Sequence, residues 1–170
     1  MKPFADKLRS TEAAEIAEAA LVLPVVFLFL LGIVWFGRAF NIYSTIQQAA
    51  QQGALAAARP TCATCGNAPN STAAVSTVVE NVMKASNLDT SKIVAYTPAA
   101  PTLCASPYPA GSCSPAADNV TVCYNVQLNP SVSPPVCGTV VSFRYPFSFN
   151  IPFASPTVNL TALAQSRMEN

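Results

Sequence analysis

The reactive side chains of this sequence are six cysteines, Cys62, Cys65, Cys104, Cys113, Cys123 and Cys137. Cys62-Ala-Thr-Cys65 has the spacing of a redox dithiol and also of one half of a zinc site. Neither chemistry is completed by its surroundings. A redox pair of this kind sits between a strand and a helix of a βαβ unit, whereas this one follows a long helical pattern. A zinc site needs a second CxxC or a histidine pair, and the chain has no histidine. That absence also removes the commonest general base. The residues therefore point to no catalytic group, no cofactor, no metal centre and no small-molecule substrate. Structural disulfides are the favoured use of the thiols, with redox chemistry and zinc binding as the lesser alternatives. All six cysteines follow a long apolar run, a placement suited to an oxidising compartment. Pro60 and Gly66 make a local turn that favours pairing Cys62 with Cys65; the other four remain unassigned.

Charge is scarce. The formal net charge is +1 and charged residues make up 10% of the chain. Without a Lys/Arg cluster there is no footprint for nucleic acid. The scarcity is sharpest after Glu18, since no charged residue occurs until Arg38. Such a stretch can cross a bilayer, because about 20 residues at ~1.5 Å each span the ~30 Å hydrocarbon layer. Lys2, Lys7 and Arg9 precede it and resemble the n-region of a secretory signal. The apolar block, however, exceeds the ~7 to 15 residues of an h-region, and no small-x-small site follows closely. Ala54-Leu55-Ala56 comes too late, inside a helical pattern. A retained anchor is expected, with the three basic residues in the cytoplasm and the remainder outside.

The positioning helix begins at Ser10 or Thr11, which can cap it, with Glu12 and Glu15 in its first turn near the positive end of the macrodipole. Glu18 stands at the edge of the apolar run, where an ionised carboxylate needs water, headgroups or a partner. Pro24 predicts a bend, and Trp35 and Tyr43 fall near the outer interface. Beyond the membrane, Ile42, Ile46, Ala49, Ala50, Gly53 and Ala57 recur at helical spacing up to Arg59-Pro60. Helix from Ser10 to Ala58 would be about 70 Å long. Ala49, Gly53 and Ala57 form a small-residue stripe that allows close approach, either by the protein's own head or by neighbouring helices in a bundle.

After Pro60 the chain is long enough for a modest core of its own. Asn70 or Ser71 can cap a second helix with Val75, Val78, Val79, Val82 and Met83 on one face, ending at Asn87. Lys92 to Thr97 reads as a short strand, and proline-rich Pro98 to Ala117 as a long loop held by disulfide bonding. From Asn119 to Leu128, Val120, Val122, Tyr124 and Val126 alternate with Thr121, Cys123, Asn125 and Gln127, which turns Cys123 away from the valine face. Thr139 to Asn150 places Val141, Phe143, Tyr145, Phe147 and Phe149 on one side, a core face rather than a stacking platform. Pro146 suggests an edge, bulge or break there. Thr157 to Arg167 alternates again, with Val158, Leu160, Ala162 and Ala164 together. Asn-x-Ser/Thr triplets at Asn70, Asn119 and Asn159 are common by chance in such a chain and receive no role. The expected class is α+β: a long transmembrane helix continuing outside the membrane, then a disulfide-stapled head of one helix on an antiparallel sheet of about four strands. The corresponding divisions are 1–18 cytoplasmic, 19–40 transmembrane, 41–60 external continuation of the helix, and 61–170 head.

The stretches E-A-A-L-V-L-P, L-G-I-V-W-F-G-R-A-F and A-A-x-x-G-A-L-A-A-A resemble the TadE-like family of pilus-assembly proteins. VSFRYPFSFNIPF and TVNLTALAQSRM resemble its closing strands. The resemblance runs from about Ala14 to Met168 and is more specific near the membrane. It implies a non-enzymatic pilin-like component of a tight-adherence (Flp-type) pilus apparatus in the bacterial inner membrane, partnered by the lipid bilayer, other pilin-like subunits and pilus-assembly membrane proteins. It further implies cleavage by a prepilin peptidase after a glycine, with a glutamate five residues into the mature chain. Glu18 matches that glutamate, which puts the cut between Ala13 and Ala14, with alanine where glycine is expected. In a cleaved chain Glu18 could pair with a neighbour's free amine; in an uncleaved one it is an interfacial carboxylate. The alternative function is a membrane-anchored extracytoplasmic binding or adaptor domain outside any filament.

Overall fold

The computed structural model describes residues 11–59, 69–99, 101–104, 111–116, 118–131, 133–149 and 155–168. Its first element is a helix of 48 residues, α1 (Thr11–Ala58), with Pro24 inside it. The chain divides into two compact units, Met1–Phe40 and Asn41–Asn170, and α1 contributes to both. The stretch from Asn41 to Ala58 therefore belongs with the head.

Helix α2 (Thr72–Ala85) starts at Ser71, whose hydroxyl accepts from the Ala74 N–H, satisfying one of the donors a helix start leaves open. It ends where Asn87 adopts φ 56°, with Asn87 N–H bonding the Lys84 carbonyl and Leu88 N–H reaching back to Met83. That pairing closes the last carbonyls of a helix and needs a left-handed residue, which asparagine tolerates. Val75, Val79 and Met83 are buried, while Val78 and Val82 are half-buried on the flank.

Among the described residues five antiparallel strands follow: β1 (Val94–Ala95), β2 (Ser112–Pro115), β3 (Thr121–Gln127), β4 (Cys137–Ser148) and β5 (Thr157–Arg167). Strand β4 is the spine. It pairs with β5 from Gly138↔Arg167 to Ser148↔Thr157, and on its other edge with β3 from Cys137 to Ser142. Beyond Ser142, β1 takes the place of β3 through Ala95↔Phe143 and Val94↔Arg144. Strand β2 lies outside β3. Pro146 stands past these pairings, where β4 is paired with β5 alone. The missing N–H is thus tolerated in a locally one-sided part of an otherwise central strand.

One face of this sheet meets the helices. Val120, Val122 and Tyr124 of the β3 segment, Val141, Phe143 and Tyr145 of β4, and Ala162 and Ala164 of β5 form the core with α2 and with Ile46, Ala49, Ala50, Ala54 and Ala57 of α1. Leu160 packs against it, whereas Val158 is exposed. Phe147 is buried, and its ring meets that of Phe149 edge-on at 4.7 Å between centroids, just past the end of β4.

The strand pattern departs from the sequence reading at four points. Residues Thr90–Lys92 form a 3-10 turn capped by the Asp89 side chain, which leaves only Val94–Ala95 of the expected Lys92 to Thr97 strand. The Pro98 to Ala117 stretch, expected as a loop, contains β2, which brings the sheet to five strands among the described residues. Register shifts between Cys123 and Val126, where Asn125 has φ 50°. The bulge turns Val126 off the Val120–Val122–Tyr124 face and joins it to Cys123 and Val140 on the other side. Finally, Phe149 lies outside the strand that was expected to contain it.

Gly53 is a point of close approach of α1 to both α2 and β4. A Cβ placed there would come within 2.6 Å of Val79 Cγ2 and 3.4 Å of Val141 Cγ1. Gly53→Leu should therefore destabilise the head by at least about 1 to 3 kcal/mol through overpacking, despite a better helix propensity. Chemical denaturation of the purified full-length chain reads the effect; an unchanged midpoint would contradict it.

Candidate functional site

Helix α1 supplies two different surfaces. In the head, Ala49 and Ala57 are fully buried and Gly53 is buried beside Val75, Val79 and Val141. The small-residue stripe is thus filled by the protein's own core, the first of the two packing possibilities, rather than left open for a neighbouring helix. Two polar contacts fix the same segment. Thr139 Oγ1 donates to the Ala54 carbonyl at 3.2 Å, and Gln47 Nε2 donates to the Thr161 carbonyl at 3.2 Å. Methyl-sized side chains are needed here because a hydroxyl can reach a helix carbonyl only if the backbones approach closely.

The unit Met1–Phe40 offers the opposite surface. Every described side chain from Glu15 to Leu31 is exposed, among them Leu21 at 77% and Phe29 at 71%, and Phe36 beyond them is 73% exposed. Burying such side chains is worth about 1.5 to 3 kcal/mol each, so an apolar surrounding is strongly favoured over water. By length and composition α1 is long and apolar enough to cross a membrane, and the segment has the character of a single-pass anchor. Glu15 and Glu18 are exposed on it. Ala13 and Ala14 lie in the first turn of α1.

The thiols staple the head. Cys113 and Cys123 are direct cross-strand partners of β2 and β3, with Cα atoms 4.0 Å apart, and are bonded to each other. Cys104 is bonded to Cys137 at the start of β4, across a separation of 33 residues. Loop-closure entropy assigns these cross-links about 3 and about 4 kcal/mol respectively. Cys62 and Cys65 lie outside the described residues. Among the described residues no cysteine is free and no group of three metal-ligating side chains gathers.

Sequence reasoning missed Asn70 as a cross-link. Its Nδ2 donates to the Ala56 carbonyl at 2.6 Å, and its own carbonyl accepts from the Tyr124 hydroxyl, tying the end of α1 to the start of α2 and to β3. Burial pushes the Tyr124 hydroxyl above its ordinary range. Asn119 is likewise structural: it holds φ 62° in the β2–β3 turn and donates to the Ile93 carbonyl. On the surface, the Ser91 hydroxyl and then the Ser91 backbone N–H hold the Asp89 carboxyl below its ordinary range. These are cap and packing contacts, and none brings a nucleophile to a base.

The arrangement defines an α+β head fused through one continuous helix to an exposed apolar segment. Residues 13–55, which carry that helix from its first turn to Leu55, match the family model described as TadE-like protein. The family is a structural, pilus-associated one, and the match suggests a component related to pilus assembly. No curated protein and no solved structure matches the chain.

The Cys104–Cys137 disulfide spans a separation of 33 residues and ties the segment ending at Cys104 to the start of β4, so its loss should weaken the head. Replacing both Cys104 and Cys137 with serine is expected to lower unfolding free energy by about 2 to 5 kcal/mol, as for native disulfides of small secreted domains. Equilibrium unfolding without reductant measures this; a loss below about 0.5 kcal/mol, the usual surface-substitution range, would contradict it.

Proposed function

We propose that this chain is a non-enzymatic, pilin-like component of a bacterial tight-adherence (Flp-type) pilus assembly apparatus. The observation that carries the reading is the TadE-like match over residues 13–55. It falls on the helix that combines an exposed apolar segment with the packing face of the head. In this reading residues 1–18 are cytoplasmic, 19–40 cross the inner membrane, and the chain from Asn41 onward is extracytoplasmic. Lys2, Lys7 and Arg9 support that orientation, and the two disulfides suit a compartment outside the cytoplasm.

Since Ala49, Gly53 and Ala57 are occupied internally, contact with other pilin-like subunits falls to the exposed apolar segment and to the outside of the head. The alanine before the Ala13–Ala14 bond, in place of glycine, favours an uncut chain in which Glu18 stays an interfacial carboxylate. The partners are the bilayer and other membrane proteins of the apparatus.

Deleting the gene should abolish piliation and surface attachment, and a wild-type copy should restore both. External protease should then digest the head while the anchored segment stays in the membrane after alkaline carbonate washing. Normal piliation in the deletion strain would overturn the pilus role and favour an anchored adaptor domain. Release of the chain by carbonate would overturn the anchor.

A further inference from the structure

The end of α1 and the end of β5 meet at a small surface cavity of about 150 Å³, lined by Leu55, Ala58, Arg59, Ser166 and Arg167. Two guanidinium-bearing residues and a serine share it with apolar stems, and among the described residues no carboxylate lines it. The other described cations of the head are engaged elsewhere. Lys84 pairs with Glu80, Lys92 faces Asp89 at 3.9 Å, and Arg144 lies over the Tyr96 ring at 4.1 Å. The third described carboxylate of the head, Asp118, accepts from Ser76.

A purely local use for the arginines would be to offset the negative end of the helix dipole. Other donors already reach that end. Arg59 N–H bonds the Leu55 carbonyl, and Asn70 Nδ2 reaches the carbonyls of Ala56 and, at 3.4 Å, Arg59. Guanidinium forks suit the paired oxygens of phosphate or carboxylate groups, and a hydroxyl adds a further donor.

We propose that Arg59, Arg167 and the Ser166 hydroxyl form a binding site for a single oxyanion group, a phosphate or a carboxylate. The site is independent of the pilus reading. Its exposure to solvent sets a weak, salt-sensitive affinity for the isolated group.

The test titrates the full-length chain in a non-ionic detergent with inorganic phosphate and, separately, with acetate, at constant ionic strength maintained with chloride. Arginine Nε–H signals report binding. A saturable response of both arginines is expected, and Arg59→Gln or Arg167→Gln should weaken it about two- to fivefold, as for the loss of an exposed charge pair. Both side chains are exposed, so amide spectra should show the head still folded. Lys84→Gln should leave binding unchanged. Saturation by phosphate or by acetate assigns the oxyanion class. Absence of a saturable response to either, or a response that survives the double Arg59→Gln/Arg167→Gln variant, would overturn the site.

Discussion

The close approach of α1 to Val79 and Val141 at Gly53 is the constraint on which the rest of the head depends. With no side chain at that position and alanines at 49, 50, 54 and 57, the helix axis can come near enough for Thr139 and Gln47 to bond across the interface. The sheet then has a lid formed by α1 and α2, and the large side chains Phe143, Ile46 and Met83 fill what remains. The family-matched residues 13–55 extend into this contact. The matched helix therefore contributes structure to the head as well as an apolar segment.

The two faces of the sheet are held by different physics. The helix-covered face relies on apolar burial. Among the described residues the opposite face has Cys123, Val126 and Val140 as a buried cluster, with Cys113 and Leu128 against it. A core that small supplies little on its own, and the disulfides Cys113–Cys123 and Cys104–Cys137 tie β2 and the segment ending at Cys104 to the sheet. Backbone bonds reinforce them, since Cys104 N–H bonds the Asn125 carbonyl and Gln127 N–H bonds that of Thr102. The left-handed Asn125 is where the strand changes partners, from β2 to residues 102–104.

Periodicity made the long elements legible. Beyond Pro24 the helical repeat ran without a breaker to Ala58, a cap at Asn70 or Ser71 and the Asn87 stop bracketed α2, and strict alternation marked Thr157 to Arg167. What failed was local and depended on tertiary contacts. Ser112–Pro115 is too short and too polar to read as a strand, and it becomes one because a tight turn at Asn119 folds it against β3 and a disulfide holds it there. Val126 fits the alternation in sequence but sits beyond a bulge that no hydrophobic pattern encodes. The stripe of Ala49, Gly53 and Ala57 was recognisable as a packing surface, yet small residues alone do not identify the neighbour. Val75, Val79 and Val141 come from distant parts of the chain, so only the fold could name them.

Native-state hydrogen exchange on the full-length chain in detergent tests most directly whether α1 is an internal part of the head. Amides from Ala49 to Ala57 should exchange through the same global opening as those of Val141 to Phe143 in β4, with protection independent of protein concentration. Rapid exchange of the α1 amides while β4 stays protected, or α1 protection that appears only as concentration rises, would contradict the account and make the small-residue face an intermolecular one.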